Sequence, residues 1–247
     1  MAGLDWLTAR PVAHRGLHDA ARGVIENTAS AFAAAVAAGY AIETDVQISA
    51  DGEAMVHHDA LLGRLTDGQG RLDQINAADL ARVPFKATAD RMLTLGDLCA
   101  IVAGRVPVLV EIKSRFDGDH RLLERLIAVL RTYAGPVVAM SFDPDQVEAL
   151  RALAPGLPRG MVAERRYDHP EWSALPQARK RQMRSLSHAL RTRPHFLAYA
   201  VADLPALPPL IARHVFGLPL LTWTVRTPED RRRARWADQI IFEGFRP

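Results

Sequence analysis

Glu43 and Asp45 stand two residues apart at the head of the run ETDVQISADGEAMVHHD (43–59), which closes on His57, His58 and Asp59. Side chains two apart on a strand share a face. An oxygen pair of this kind is what hard divalent cations take as ligands. Asp51-Gly52 lies between the two ends and is a turn signal, so the histidines can fold back towards the carboxylates. One short excursion then brings a metal pair beside imidazoles able to exchange protons near neutral pH. A half-buried hairpin with a polar outer face would carry the same residues, so the elements around the run must decide between the two readings.

Three other stretches set polar residues at or near the end of an apolar strand. Residues 11–13 run into His14-Arg15-Gly16, 106–113 (VPVLVEIK) ends with Glu111 and Lys113 on one face, and 220–225 (LLTWTV) holds Trp223. A charge inside VLVEIK needs a partner, and Lys113 can serve Glu111 as one. Trp223 suits the core better than a platform for substrate. His18, Asp19, Asp59 and Arg64 read as loop residues that support a site.

The elements that must position these residues are legible from periodicity. Strands are expected at 11–13, 41–46, 106–113, 137–142, 159–163, 196–201, 220–225 and 239–242. Helices are expected at about 27–38, 95–102, 118–133, from 144, at 205–216 and at 227–236. Asn27 or Thr28 suits the start of the first and Gly39 its end. Asp143, Pro144 and Gln146 sit where an N-cap, a first helical residue and a capping-box partner belong. Eight strand–helix units in one chain of 247 residues imply an α/β fold, a (β/α)8 TIM barrel covering 1–247 as a single domain. A short insertion after the second strand, 60–105, is expected to form a small cap. An open doubly wound sheet is the competing architecture, but no Gly-x-Gly-x-x-Gly follows the first strand. In a barrel the C-terminal strand ends meet at one mouth. That gathers three carboxylates, His14, the histidine pair, Arg15 and Lys113. A divalent cation removes the repulsion among the carboxylates, and the flanking cations suit a phosphate.

Composition adds bounds. Hydrophobic residues make up 49% and charged ones 24%, with a net charge of +3. The basic clusters at 179–181 and 231–235 read as solvated helix faces or subunit contacts, not as a nucleic-acid surface. Cys99 is the only cysteine, so no intrachain disulfide forms. No apolar run reaches the ~18 residues of a membrane span, which makes a cytoplasmic protein the expectation.

The chain resembles the glycerophosphodiester phosphodiesterase family. The resemblance rests on AHRG (13–16), ENTASAF (26–32), the block 39–70, LTLGDL (93–98), VLVEIK (108–113), MSFDPDQVEAL (140–150) and LTWTVR (221–226). It implies metal-dependent hydrolysis of glycerophosphodiesters to glycerol 3-phosphate and an alcohol. It implies His14 and His58 as catalytic residues, and Glu43, Asp45 and Glu111 as ligands of one divalent cation, Mg2+ or Ca2+. Arg15 and Lys113 would contact phosphate, and Trp223 would line the substrate site. The partner is a small-molecule glycerophosphodiester, with no nucleic acid and no stable membrane insertion; homo-oligomerisation is left open. Spacing alone does not separate His57 from His58, and only the family's His-Asp adjacency selects His58. The sequence departs from the family at Ile25, where the family has proline. It departs again at 242–247 (FEGFRP), which replaces a Thr-Asp-x-Pro pattern at the eighth strand's mouth. The rival readings are a phospholipase D-like barrel acting on lipids, a catalytically silent phosphoester-binding barrel, and a metal-dependent sugar isomerase or aldolase on the same fold.

Overall fold

Alternation along ten strands builds the architecture: β1 (Val12–Ala13), β2 (Ala41–Ile48), β3 (Ala54–Val56), β4 (Leu93–Thr94), β5 (Val108–Ile112), β6 (Val137–Ser141), β7 (Arg159–Ala163), β8 (Phe196–Ala200), β9 (Leu220–Val225) and β10 (Gln239–Phe242). The structure is a computed structural model and describes residues 3–247. β1, β2 and β5 to β10 pair in parallel in chain order, and β1 pairs with both β2 and β10. The ring is therefore closed, with helices between its strands: a (β/α)8 barrel. β3 and β4 stand outside the ring as an antiparallel extension of β2. β3 is the arm that returns after the turn at Asp51-Gly52, while β4, two residues long, carries no period in the sequence.

Inward positions carry one apolar cluster that includes Val12, Ala41, Leu109, Met140, Val162, Phe196, Leu221 and Ile241, joined by Leu7 of the helix Asp5–Thr8. Outward positions Ile42, Val46, Val108, Val110 and Ile112 pack with residues of the helices Ala29–Ala38, Leu95–Val102 and Arg121–Leu130. Period-two alternation then fixes what lies above the apolar layer. The next inward residues after Ala41 on β2 are Glu43 and Asp45, and after Leu109 on β5 comes Glu111. No described helix is long and apolar enough to cross a membrane.

Several local expectations need correction. Leu95–Val102 belongs to the barrel wall and not to the insertion, since it packs on the helix Ala29–Ala38. The rest of 60–105 has its own apolar cluster of Leu62, Leu72, Leu80, Phe85 and Met92, shared with Ile25 and Met55. Asp143 caps its helix by accepting from Asp145 N–H, but Gln146 forms no capping box and donates to Asp119 O at 2.7 Å. Thr28 is the N-cap residue of Ala29–Ala38, yet its hydroxyl donates to Ile25 O. Lys180, read as part of a solvated face, is buried.

Gly160 on β7 stands in register with Phe196 on β8. A Cβ there would lie 2.2 Å from the Phe196 ring, so the missing side chain is the space the phenyl group fills. Gly160→Ala is expected to lower the free energy of unfolding by about 1–3 kcal/mol through overpacking. Urea denaturation checks this; an unchanged midpoint would show that the ring moves aside at no cost.

Candidate active site

β2 and β5 run side by side with Asp45 directly opposite Glu111, and Glu43 two residues earlier on the same face as Asp45. The three carboxylates each offer an oxygen within 4.8 Å of the others, and all three residues are buried. Their repulsion is offset by two cations. Lys113 Nζ lies 2.8 Å from Asp45 Oδ1 and 2.6 Å from Glu111 Oε1. Arg15 Nε lies 3.2 Å from Asp45 Oδ2 without aligning as a hydrogen bond, while its backbone N–H donates to Glu43 Oε2 at 3.1 Å. Three carboxylates against two cations leave one negative charge uncompensated. Burial, then the neighbouring Asp45 and Glu111, push the Glu43 carboxyl well above its ordinary range. Burial acts the same way on Asp45, but Lys113, His58 and Arg15 outweigh it and hold Asp45 ionised.

The lysine ammonium bridging Asp45 and Glu111 marks a place where positive charge is stabilised. Three hard oxygen donors there fit a hard divalent cation. Glu43, Asp45 and Glu111 are the residues that would hold it.

The backbone pays for this geometry locally. Arg15 and Asn27 both have positive φ, 56° and 57°, a region non-glycine residues rarely adopt. They brace each other through Asn27 N–H to Arg15 O at 2.9 Å. Asn27 then spends its side chain on the site, donating to Asp45 Oδ2 at 3.0 Å and accepting from Thr44 Oγ1 at 2.8 Å. Gly16 has φ 83°, and a Cβ there would meet Ala31 at 2.9 Å, which explains the His-Arg-Gly order.

The hairpin between β2 and β3 returns the chain as Asp51-Gly52 implies, with Gly52 at φ 88°. His57 N–H donates to Asp45 O at 3.1 Å and the residue is buried. His58 lines the central pocket instead and His57 does not. His58 Nδ1 lies 2.8 Å from Asp59 Oδ1. His14 Nδ1 lies 2.7 Å from Glu243 Oε2, and its Nε2 faces Glu43 Oε2 at 3.9 Å. Since a carboxylate only accepts, each Nδ1 carries a hydrogen in this network, which leaves each Nε2 as the position for proton exchange. Burial lowers His14 to about 4 in spite of its bond to Glu243. Burial would raise Glu243, but its bonds to His14 and Arg226 hold its carboxyl well below the usual range.

The pocket has a volume of about 1300 Å3 and is lined by His14, Arg15, Glu43, His58, Glu111, Lys113 and Trp223. Asp45 alone of the eight expected site residues is not on that lining; it sits behind Lys113 and Arg15. Opposite the charged wall, Trp223 packs edge-to-face on Phe142 at 5.5 Å, and Phe142 tilts on Trp172 at 5.1 Å. Trp223 Nε1 donates to Ala198 O at 3.0 Å, which fixes its ring.

Four supporting residues escaped sequence reasoning. Glu26 accepts from Arg15 Nη1 and from Arg64 Nη2, both at 2.7 Å, and Arg64 also reaches Asp59. A continuous chain of ion pairs thus joins Arg15 to the partner of His58. Glu26 and Asn27 lie in the ENTASAF run, which was the available signal. Glu243 and Arg226 lie just past the ends of β10 and β9, where barrel logic alone would have placed them at the mouth.

Comparison with known proteins agrees with this geometry. The profile of the Glycerophosphoryl diester phosphodiesterase family matches residues 14–245. The chain belongs to that family. A glycerophosphodiester phosphodiesterase of Caldanaerobacter subterraneus subsp. tengcongensis is 32% identical over 162 residues, covering 61% of this chain and 65% of the relative. A second relative with that name, from Bacillus subtilis, is 26% identical over 194 residues, and there too the chain spans only 65% of the relative's length. Among solved structures, an Oleispira antarctica phosphodiesterase in complex with the product sn-glycerol-3-phosphate superposes with a TM-score of 0.76 at 19% identity, covering 94% of this chain and 91% of that one. The Thermotoga maritima glycerophosphodiester phosphodiesterase gives 0.70 at 22% identity, covering 94% of both chains. At these identities the structural likeness is one of fold.

Within this family member Glu243 is the group that orients His14. Glu243→Gln is expected to lower kcat on the substrate proposed below by about 10- to 100-fold, the scale on which removal of an orienting partner acts. KM should change little, and Glu243→Asp should restore part of the loss. Steady-state kinetics of the three proteins check this; equal kcat values would show that His14 is held by other means.

Proposed function

We propose that this protein hydrolyses glycerophosphodiesters to glycerol 3-phosphate and an alcohol with the help of one divalent cation. The observation that carries the reading is the pair of imidazoles, His14 and His58, each anchored through Nδ1 to a carboxylate and both lining the pocket that Glu43 and Glu111 also line, with Asp45 behind them. Glu43, Asp45 and Glu111 would hold Mg2+ or Ca2+, which when bound offsets negative charge on the phosphoryl oxygens.

The protein's own groups divide the remaining work. Arg15 and Lys113 present cationic donors at the pocket wall, suited to a phosphodiester anion. One histidine accepts a proton at Nε2 from the attacking oxygen, and the other donates one from Nε2 to the departing alcohol. The carboxylate at Nδ1 leaves Nε2 of the accepting ring free, and at the donating ring it stabilises the imidazolium. Trp223 and Phe142 give the organic part of the substrate an apolar wall. The insertion supplies Leu61, Leu62, Arg64, Arg71 and Asp73 to the same pocket; its walls favour small soluble diesters over lipids in a bilayer.

Three measurements test this. Release of glycerol 3-phosphate from glycerophosphocholine and glycerophosphoethanolamine should stop on addition of EDTA and return with Mg2+ or Ca2+; release unaffected by EDTA would remove the cation from the reading. His58→Ala should lose ~100-fold or more in kcat, the usual scale for general acid or base catalysis. His57→Ala should keep most of the kcat of its folded fraction while unfolding more easily, because it empties a buried position. The opposite pattern would move the role to His57. Intact phospholipid should turn over more slowly than glycerophosphocholine; a faster rate would point to a lipid substrate.

A further inference from the structure

A second cavity, of about 610 Å3, is lined by Arg165, Arg181, Arg184, Ser185, Tyr199 and the segment 205–208. None of these residues lines the active-site pocket. Arg165 follows β7, Arg181 and Arg184 come from the helix Gln177–Ser185, and Tyr199 comes from β8. The cavity therefore lies between two consecutive strand–helix units.

Its polar rim is basic: Arg165, Arg181 and Arg184 are exposed there, and Ser185 Oγ donates to Gln182 O. The neighbouring Arg179 pairs with Asp145, and Arg191 with both Asp145 and Glu148. Arg165, Arg181 and Arg184 form no ion pair among the described residues; the only side-chain bond among the three is Arg184 Nε to Arg165 O at 3.0 Å. The nearby Asp203 is engaged by Arg165 N–H at 2.7 Å. Tyr199 is 1% exposed as a residue and forms part of the cavity wall. Burial raises its hydroxyl to about 12, so it stays a donor. The rest of the lining is apolar: Pro205, Ala206, Leu207 and Pro208, with Leu207 72% exposed.

We propose that this cavity is a second anion site that takes a phosphomonoester, its phosphate held by Arg165, Arg181 and Arg184 with Tyr199, and its organic part resting on Leu207, Pro205 and Pro208. Planar guanidinium forks match a phosphate's terminal oxygens. Three unpaired cations call for a multiply charged group, which a single carboxylate does not supply. The apolar half of the lining has no role with inorganic phosphate alone and selects an ester with a compact apolar or glycerol-sized body.

Calorimetric titration of the whole protein with phenyl phosphate tests the site. Two equivalents should bind, one at the mouth and one here. Arg181→Ser/Arg184→Ser should lose one equivalent and keep the other, and Arg15→Ala should show the reverse. Tyr199→Phe should weaken the same event that the double variant loses, by several-fold. Inorganic phosphate should bind there more weakly than phenyl phosphate. A single equivalent in the unaltered protein that disappears with Arg15→Ala would overturn the proposal. So would two equivalents both unchanged in the double variant. Sedimentation with phosphatidic acid vesicles separates the remaining source: capture that depends on Arg181 and Arg184, with no binding of phenyl phosphate, would replace a soluble phosphomonoester by a lipid headgroup.

Discussion

Three carboxylates buried within a few ångströms of one another are the constraint the mouth is built around. Taking even one such ion out of water costs several kcal/mol unless it is paired. The chain meets that cost with Lys113 between Asp45 and Glu111, with Arg15 beside Asp45, and with amide donors from Arg15 and Asn27. Much of the local geometry follows from this. The left-handed backbone at Arg15 and Asn27, the glycine at 16 and the register of β2 with β5 all bring a donor to a carboxylate. A proton on Glu43 or a cation among the three completes the compensation.

The two histidines solve a separate problem in the same way. Each needs a defined orientation at a pocket open to solvent, and each has a carboxylate on Nδ1 to define it. Asp59 does this from the adjacent position in sequence, and Glu243 from the other end of the chain. Arg64 and Glu26 tie the Asp59 side to Arg15, so that displacement of either partner is resisted by a run of charged bonds. Such a run orients groups more than it stabilises the fold, because Arg64 is half exposed and solvent screens it.

The barrel was legible because strand ends are marked chemically. HRG, ETD and VEIK each switch from apolar to charged within a residue or two, and eight apolar runs at the right intervals leave few other folds. Glu43, Asp45, Glu111 and Lys113 could be grouped from alternation alone. The choice of His58 over His57 could not, since an extended stretch exposes one or the other according to where the hairpin ends. β4 was invisible because two residues carry no period. Gln146 had the right spacing for a capping box, but Asp119 O offers its side chain a tertiary acceptor. Glu243 needed closure of the ring to be seen at all, because nothing near it in sequence hints at His14.

The bond between His14 and Glu243 spans 229 residues. Few contacts in a chain of 247 are less local, and β1, which carries the histidine to that meeting, is two residues long. Non-local pairings of this kind form late, since loop closure must precede them. A folding intermediate with β2 to β9 in place would already own the carboxylate cluster and His58. It would lack His14 and Arg15, which follow the first strand, and Glu243, which follows the last. The meeting of the first strand with the last is therefore what sets the imidazole of His14 against its carboxylate.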